Sequence, residues 1–275
     1  SLCHNFRLCS RPCPGGEIGR RRGLKIPRRK ACRFDSGPGH QRKPRLALSL
    51  SLCVLNSYAM KNAVSRYLVR WIKPKFLKLS RVVPRPKLLL DIGIANDSYE
   101  ESKTVFQGVA YHGLDVADAA IELQPGDQFF LRNLEDPGAL HGLLPEYDAI
   151  IANHVLEHIK RGPEVFGGLC RLLAPGGALY AEVPSIRTAQ RPQSQGSYHF
   201  HDDPTHCRVY RLEDLANIAM DAGCRVVSCG PASTPLKDLL SIPRALVGIV
   251  RGHGWGPYLL HLQRKIDHIL VQRSA

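Results

Sequence analysis

From residue 60 onward, short apolar runs alternate with longer stretches in which apolar residues return every three or four positions. Runs at 87–91, 110–115, 128–132, 147–153, 178–183 and 225–228 have the length of strands and are bounded by Gly, Pro, Asn, Asp or Ser. Between them, "PEVFGGLCRLLAPGG" sets Val165, Phe166, Leu169 and Leu172 on one helical face, with Pro175, Gly176 and Gly177 as its stop. "RLEDLANIAMDAG" repeats the pattern with Leu212, Leu215, Ile218 and Ala219 and ends at Gly223. Strands alternating with helices predict an α/β fold: a Rossmann-like open sheet, mostly parallel, with helices on both faces. Upstream, "AVSRYLVRWI" places Val64, Leu68 and Trp71 together, so 60–86 is expected to be a basic amphipathic helical lead-in. Downstream, "LLSIPRALVGIV" and "YLLHLQRKIDHIL" carry apolar residues at i, i+3, i+4 spacing, which predicts a C-terminal helical extension over 231–275. The core domain is then 87–230.

Charge divides the chain differently. Residues 1–59 hold thirteen Lys/Arg and two Asp/Glu, show no strand or helix period, and have too little apolar surface to fold. Their one apolar run, "LALSLSLCVLNSYA", starts too far along for a secretory signal and falls short of the ~20 residues that span a bilayer. The expectation is a disordered or non-native extension, with the working chain beginning at Met60. Residues 60–87 add +9, yet 88–275 sum to −6 within a total of +14. An acidic core repels a phosphate backbone, so nucleic acid is disfavoured as a substrate. The basic lead-in and apolar tail suit weak peripheral contact between a cytoplasmic protein and an anionic membrane. Nine cysteines include no C-x-x-C pair, so neither zinc nor disulfides are assigned.

The chemistry starts at "LLLDIGIANDSYEE". A buried strand runs into Asp91 and Gly93, and in open α/β sheets the first strand-to-helix turn meets the ligand. A dinucleotide site would need G-x-G-x-x-G so that the backbone could approach a pyrophosphate. Here the later glycines are replaced by Ala95 and Asp97, and the strand-end carboxylate suits a cationic or hydroxyl-bearing ligand better than a diphosphate. Twenty-four residues on, "YHGLD" ends a second strand in Asp115, where a carboxylate can accept ribose hydroxyls.

"LLLDIG", "YHGLD", "YDAIIANHVLEHI" and "LLAPGGALYAEVP", in that order and spacing, resemble the class I S-adenosylmethionine-dependent methyltransferases, in particular the type 11 group. The resemblance spans 87–228, and its specificity lies in the ordered set. It implies S-adenosyl-L-methionine as cofactor, with Asp91, Ile92, Gly93, Ala95 and Asn96 at its methionine end and Asp115 and Val116 at its ribose. Asn133 and Leu134 stand where the family keeps an acidic residue near the adenine, and Asn153 and His154 line the opposite wall. The implied activity is methyl transfer to a small-molecule, glycan or lipid-linked acceptor. The alternative is a methyltransferase-like binding protein that has lost turnover through Ala95 and Asp97.

Methyl transfer from a sulfonium needs alignment above all, and a hydroxyl or amine acceptor must also lose a proton. "YHFHDDPTHCRVY", 198–210, is the richest supply of candidate bases, and some type 11 relatives share its "DPTH" stretch. His201 and His206 are the expected bases, with Arg208 orienting the acceptor; the competing reading is a polar loop that caps the helix near Leu212. "HVLEH" formally has the H-x-x-E-H spacing of a zinc-peptidase class. That match is read as accidental, and a metal set of His154, Glu157, His158 and His206 is set aside.

Overall fold

The computed structural model describes residues 68–94, 97–118, 121–143, 146–190, 199–239, 242 and 265–274. The extension at 1–59 lies outside the described residues, as do Ala95 and Asn96. Strands β1 (Leu88–Ile92), β2 (Ala110–Asp115), β3 (Gln128–Leu131), β4 (Tyr147–Asn153), β5 (Leu173–Pro184), β6 (Cys224–Pro231) and β7 (Ile266–Arg273) form one sheet. Their order is β3-β2-β1-β4-β5-β7-β6, with β7 antiparallel to both of its neighbours and β1 to β5 parallel. The predicted Rossmann-like architecture is therefore observed.

Alternation along each strand builds two cores, because successive side chains point to opposite faces. Leu90, Ile92, Ile150, Ala152, Leu179 and Ala181 pack on one face with Val165, Phe166 and Leu169 of α3 (Gly162–Arg171) and Leu215 and Ala219 of α5 (Leu212–Asp221). Leu89, Tyr111, Ala149, Ile151 and Tyr180 pack on the other with Phe76 and Leu79 of α1 (Pro74–Val82) and Tyr99 of α2 (Ser98–Val105). Each large side chain so buried contributes roughly 1.5–3 kcal/mol. Pro74 opens α1 at a position where its missing N–H costs nothing. One short helix, α4 (Ile186–Gln190), follows β5.

Two expectations are corrected. The segment Ile266–Arg273, read as part of a helical extension, is strand β7, wedged between β5 and β6. It is buried on both faces, with Ile269 and Val271 in one core and Leu270 in the other, so it carries no two-residue alternation to betray a strand. β5 starts at Leu173 rather than 178, and Pro175 to Gly177 lie inside its irregular first part instead of separating helix from strand.

His268 of β7 is a consequence of that burial. It stacks on Tyr180 at 5.7 Å, its Nδ1 donates to the Pro231 carbonyl at 3.2 Å, and its Nε2 lies 3.2 Å from Ser228 Oγ. Burial, with the Lys78 ammonium adding to it, pushes its pKa down to about 4. The unfolded chain, with an ordinary histidine near 6.5, takes up a proton that the folded chain refuses. Stability is thus full above about pH 6.5 and falls by up to roughly 3 kcal/mol as pH drops toward 4. Urea unfolding of wild type and His268→Gln across this range checks it: the variant's curve should be flatter, and parallel curves would remove His268 as the cause.

Candidate active site

Strand order reverses between β1 and β4, where the register pairs Ile92 with Ala152. Connections leave this point in opposite directions, so a crevice opens beyond the carboxyl ends of the strands. A cavity of about 300 Å³ lies there, lined by Gly93, Leu114, Asp115, Val116, Arg132, Asn133, Leu134, Glu135, His154, Val155, His158 and Ile159. It thus gathers Gly93, Asp115, Val116, Asn133, Leu134 and His154 from the residues singled out in the sequence.

The turn after β1 is shaped by two close approaches. Gly93 has φ +72°, and a Cβ on it would clash with Val155 Cγ2. Gly113 in β2 leaves room for Ile94, whose Cδ1 a Cβ would meet. Ile94 in turn donates its N–H to Asp115 Oδ2 at 2.7 Å, and Ala117 N–H reaches Oδ1 at 2.9 Å. Each oxygen keeps a further lone pair for a ligand hydroxyl. Asn133 Oδ1 accepts the Glu135 N–H at 3.0 Å, which leaves its NH₂ as the uncommitted donor.

Three of the described residues expected at the cofactor do not line the cavity. Asp91 is 1% exposed, and its Oδ2 accepts from Ser98 Oγ at 2.5 Å and Tyr111 OH at 2.9 Å, while Lys75 Nζ donates to the same Ser98 oxygen at 2.8 Å. Burial pushes its pKa up, against the opposing pull of Lys75 and the two hydroxyls. Its carboxylate therefore ties α1, α2 and β2 together beneath the site instead of facing a ligand. Ile92 is core, and Asn153, half-buried, is not a lining residue; its Oδ1 is buried without a partner.

His154 closes the other wall in an unusual backbone conformation, φ +54°, the only positive φ outside glycine among the described residues. Its N–H donates to Glu182 O at 2.9 Å, and its Nδ1 lies 3.1 Å from Glu157 Oε1. Burial opposes the ring's charge, but the bond and charge of Glu157, helped by Glu182, hold its pKa above the ordinary value.

The turn Leu156–His158 that follows anchors the His-rich loop, since Glu157 O accepts the N–H groups of Cys207 at 2.8 Å and Arg208 at 3.2 Å. Tyr210 OH donates to Leu156 O at 3.2 Å. The loop does not cap α5, whose N-cap is Arg211 without a side-chain bond; His199 and Asp202 cap the loop's own turn Phe200–Asp202. None of the residues expected to act on the acceptor lines the cavity; His206 comes nearest, its ring 4.7 Å from that of the lining residue His158. His201 is exposed, and Arg208 donates to Lys160 O at 3.2 Å.

Sequence reasoning missed Arg132, Glu135 and His158 as lining residues. Glu135 was within reach: the family pattern wants an acid after the third strand, and "RNLED" supplies one two positions beyond Asn133.

A family model described as a methyltransferase domain matches residues 64–229. The chain belongs to that family, and its sheet order and cleft make it a class I, S-adenosylmethionine-dependent methyltransferase. Among curated proteins, no sequence matches the chain. Among solved structures, a chain of the complex between the Haloferax volcanii Trm112 methyltransferase activator and a methyltransferase is similar at 12% identity and a TM-score of 0.53, covering 72% of this chain and 91% of that one. An S-adenosylmethionine-dependent methyltransferase from Mesorhizobium loti is similar at 15% identity and 0.52, covering 73% and 98%. A Haemonchus contortus phosphoethanolamine N-methyltransferase, solved with S-adenosyl-L-methionine, matches at 16% and 0.50, over 72% of this chain and 52% of its own. At such identities these likenesses show the fold.

Gly93→Ala tests the turn. A non-glycine residue at this φ costs roughly 1–2 kcal/mol, and Val155, branched at Cβ, has little freedom to yield. Urea unfolding should register at least that loss, and a variant as stable as wild type would show that the turn relaxes freely.

Proposed function

We propose that the chain transfers a methyl group from S-adenosyl-L-methionine to a small-molecule, glycan or lipid-linked acceptor, and that the His-rich loop at 198–210 positions the acceptor. What carries the reading is the joining of two halves: a cleft with Asp115, Gly93 and Asn133 on one side, and a wall of His154 and His158 to which Glu157 O ties the loop.

The residues fit the cofactor. A cavity of about 300 Å³ is at the small end of ligand sites, Gly93 has no Cβ to fill it, and Asp115 retains acceptor capacity after binding two amides. Bound there, the cofactor supplies an electrophilic methyl on a sulfonium. Asp115 would hold the ribose hydroxyls, and the Asn133 NH₂ would meet an acceptor nitrogen of the base. Leu134, 7% exposed, would lie against the ring. His206 would serve the acceptor when it sheds its proton. His201 and Arg208 are given no part, because both are exposed and neither lines the cavity.

No helix among the described residues is long and apolar enough to cross a membrane. A lipid-linked acceptor would bring the chain to a membrane surface, and Trp71 and Leu68, 53% and 38% exposed beside Arg70, suit a shallow contact there.

Three measurements test this reading. By calorimetry, Asp115→Ala should weaken S-adenosylmethionine binding by roughly 1.5–3 kcal/mol per charge-assisted bond lost; unchanged affinity in a folded variant would remove Asp115 from the site. His206→Gln should leave that affinity near wild type while turnover falls ~10²- to 10⁴-fold. Equal turnover would make the loop structural, and cofactor binding with no turnover on any acceptor would favour a binding protein. A chain starting at Met60 should sediment with anionic vesicles more than with neutral ones, at about 1 kcal/mol per contacting basic residue, and lose the preference at high salt.

A further inference from the structure

We propose that Glu157, His158 and His206 bind a divalent first-row transition ion at the rim of the cavity. One ligand atom from each lies within 4.8 Å of the other two. The hydrogen bonds behind the rings decide what they offer. Thr205 Oγ1 is 2.5 Å from Asp203 Oδ1 and gives its proton to that carboxylate, so it accepts from His158 Nδ1 at 2.8 Å. The Phe200 carbonyl can only accept, and it takes the proton of His206 Nδ1 at 2.7 Å. With their Nδ1 atoms donating, each ring turns its other nitrogen, Nε2, outward as a lone pair, that of His206 with Asp203 Oδ2 3.8 Å away. An acceptor behind Nδ1 is also the arrangement that orients ligating histidines and raises their basicity.

Glu157 supplies the charge. It is fully buried, and while His154 holds Oε1 at 3.1 Å, Oε2 is buried with no partner. Ligand atoms of two imidazoles and a carboxylate gathered this closely, with one carboxylate oxygen buried and unpartnered, form a pocket of negative potential that a cation would satisfy. The parts are held in place beforehand: the bonds from Cys207 and Arg208 N–H to Glu157 O fasten the loop to the turn, and the His206 ring packs on Phe200 at 4.7 Å. A tetrahedral ion sets neighbouring ligand atoms roughly 3.3 Å apart, so the side chains draw inward on binding.

Two imidazoles and one carboxylate suit Zn²⁺, Co²⁺, Mn²⁺ or Fe²⁺ better than the oxygen-seeking Ca²⁺ or Mg²⁺. Three protein ligands leave a position open, as in catalytic rather than structural sites. Because His158 also lines the cavity, an ion there would meet an oxygen of an incoming acceptor and would explain how His206 serves it. The inference goes beyond methyl transfer, and binding of the ion alone tests it whether or not that activity is found.

The test uses the full-length chain, freed of tags, stripped with chelator and titrated with Co²⁺ alone, followed by its visible absorption and by displacement with Zn²⁺. One ion per chain should bind, and His206→Ala and Glu157→Gln should each weaken Co²⁺ at least tenfold, whereas replacing the exposed His141 by Ala should not. Thr205→Val, which frees His158 Nδ1 without touching a ligand, should cost about 10- to 100-fold; it decides the matter if a ligand variant fails to fold. A stripped wild-type chain that binds no ion, or one whose affinity is the same in His206→Ala and Thr205→Val, would overturn the proposal.

Discussion

The cavity depends on the pairing of β1 with β4. Parallel neighbours in register at Leu89 and Ala149 through Ile92 and Ala152 bring two strand ends side by side, while their connections depart toward opposite edges of the sheet. Among the described residues the point is left uncovered, and the cavity opens there. Gly93 and His154, the residues just past these two strand ends, both have positive φ, which turns the chain away from the sheet on either side of the opening. For glycine this is free of steric cost; for histidine it is not. The bonds from His154 N–H to Glu182 O and from its ring to Glu157 hold it there.

The two strand-end aspartates differ only in what surrounds them. Asp91 is enclosed by Ser98, Tyr111 and Lys75, and its Oδ2 takes both hydroxyls, which holds helix to sheet. Asp115 receives backbone amides and stays open toward the cavity, where Val116 beside it is 68% exposed. The first contributes a fixed framework under the turn. The second has a preset orientation, since Ile94 and Ala117 clamp its carboxylate before any ligand arrives, and that lowers the entropy lost on binding.

On the other wall the turn Leu156–His158 is the meeting place of the two halves. Its backbone carries the loop, through Glu157 O and Leu156 O, and its side chains face the cavity and the loop histidines. Residues 48 positions apart, His158 and His206, are brought within one ring contact in this way.

The sequence by itself determined the fold class, the helical stripes of α3 and α5, the strands that end at the cleft, and Gly93, Asp115, Asn133 and His154 as neighbours. These were legible because burial imprints a local period, and because strand ends in such a sheet converge by topology alone. Tertiary structure decided the rest. β7 is central and buried on both faces, so no alternation marks it, and its place between β5 and β6 depends on partners some ninety residues and some forty residues away in the chain. Whether Asp91 faced a ligand or a hydroxyl network depended on Ser98 and Tyr111, and only the fold brings His206 beside Glu157 and His158. Hydrogen-bond partners set by long-range contacts leave no period in the chain, and it is those partners that fix which nitrogen or oxygen a side chain has left to offer.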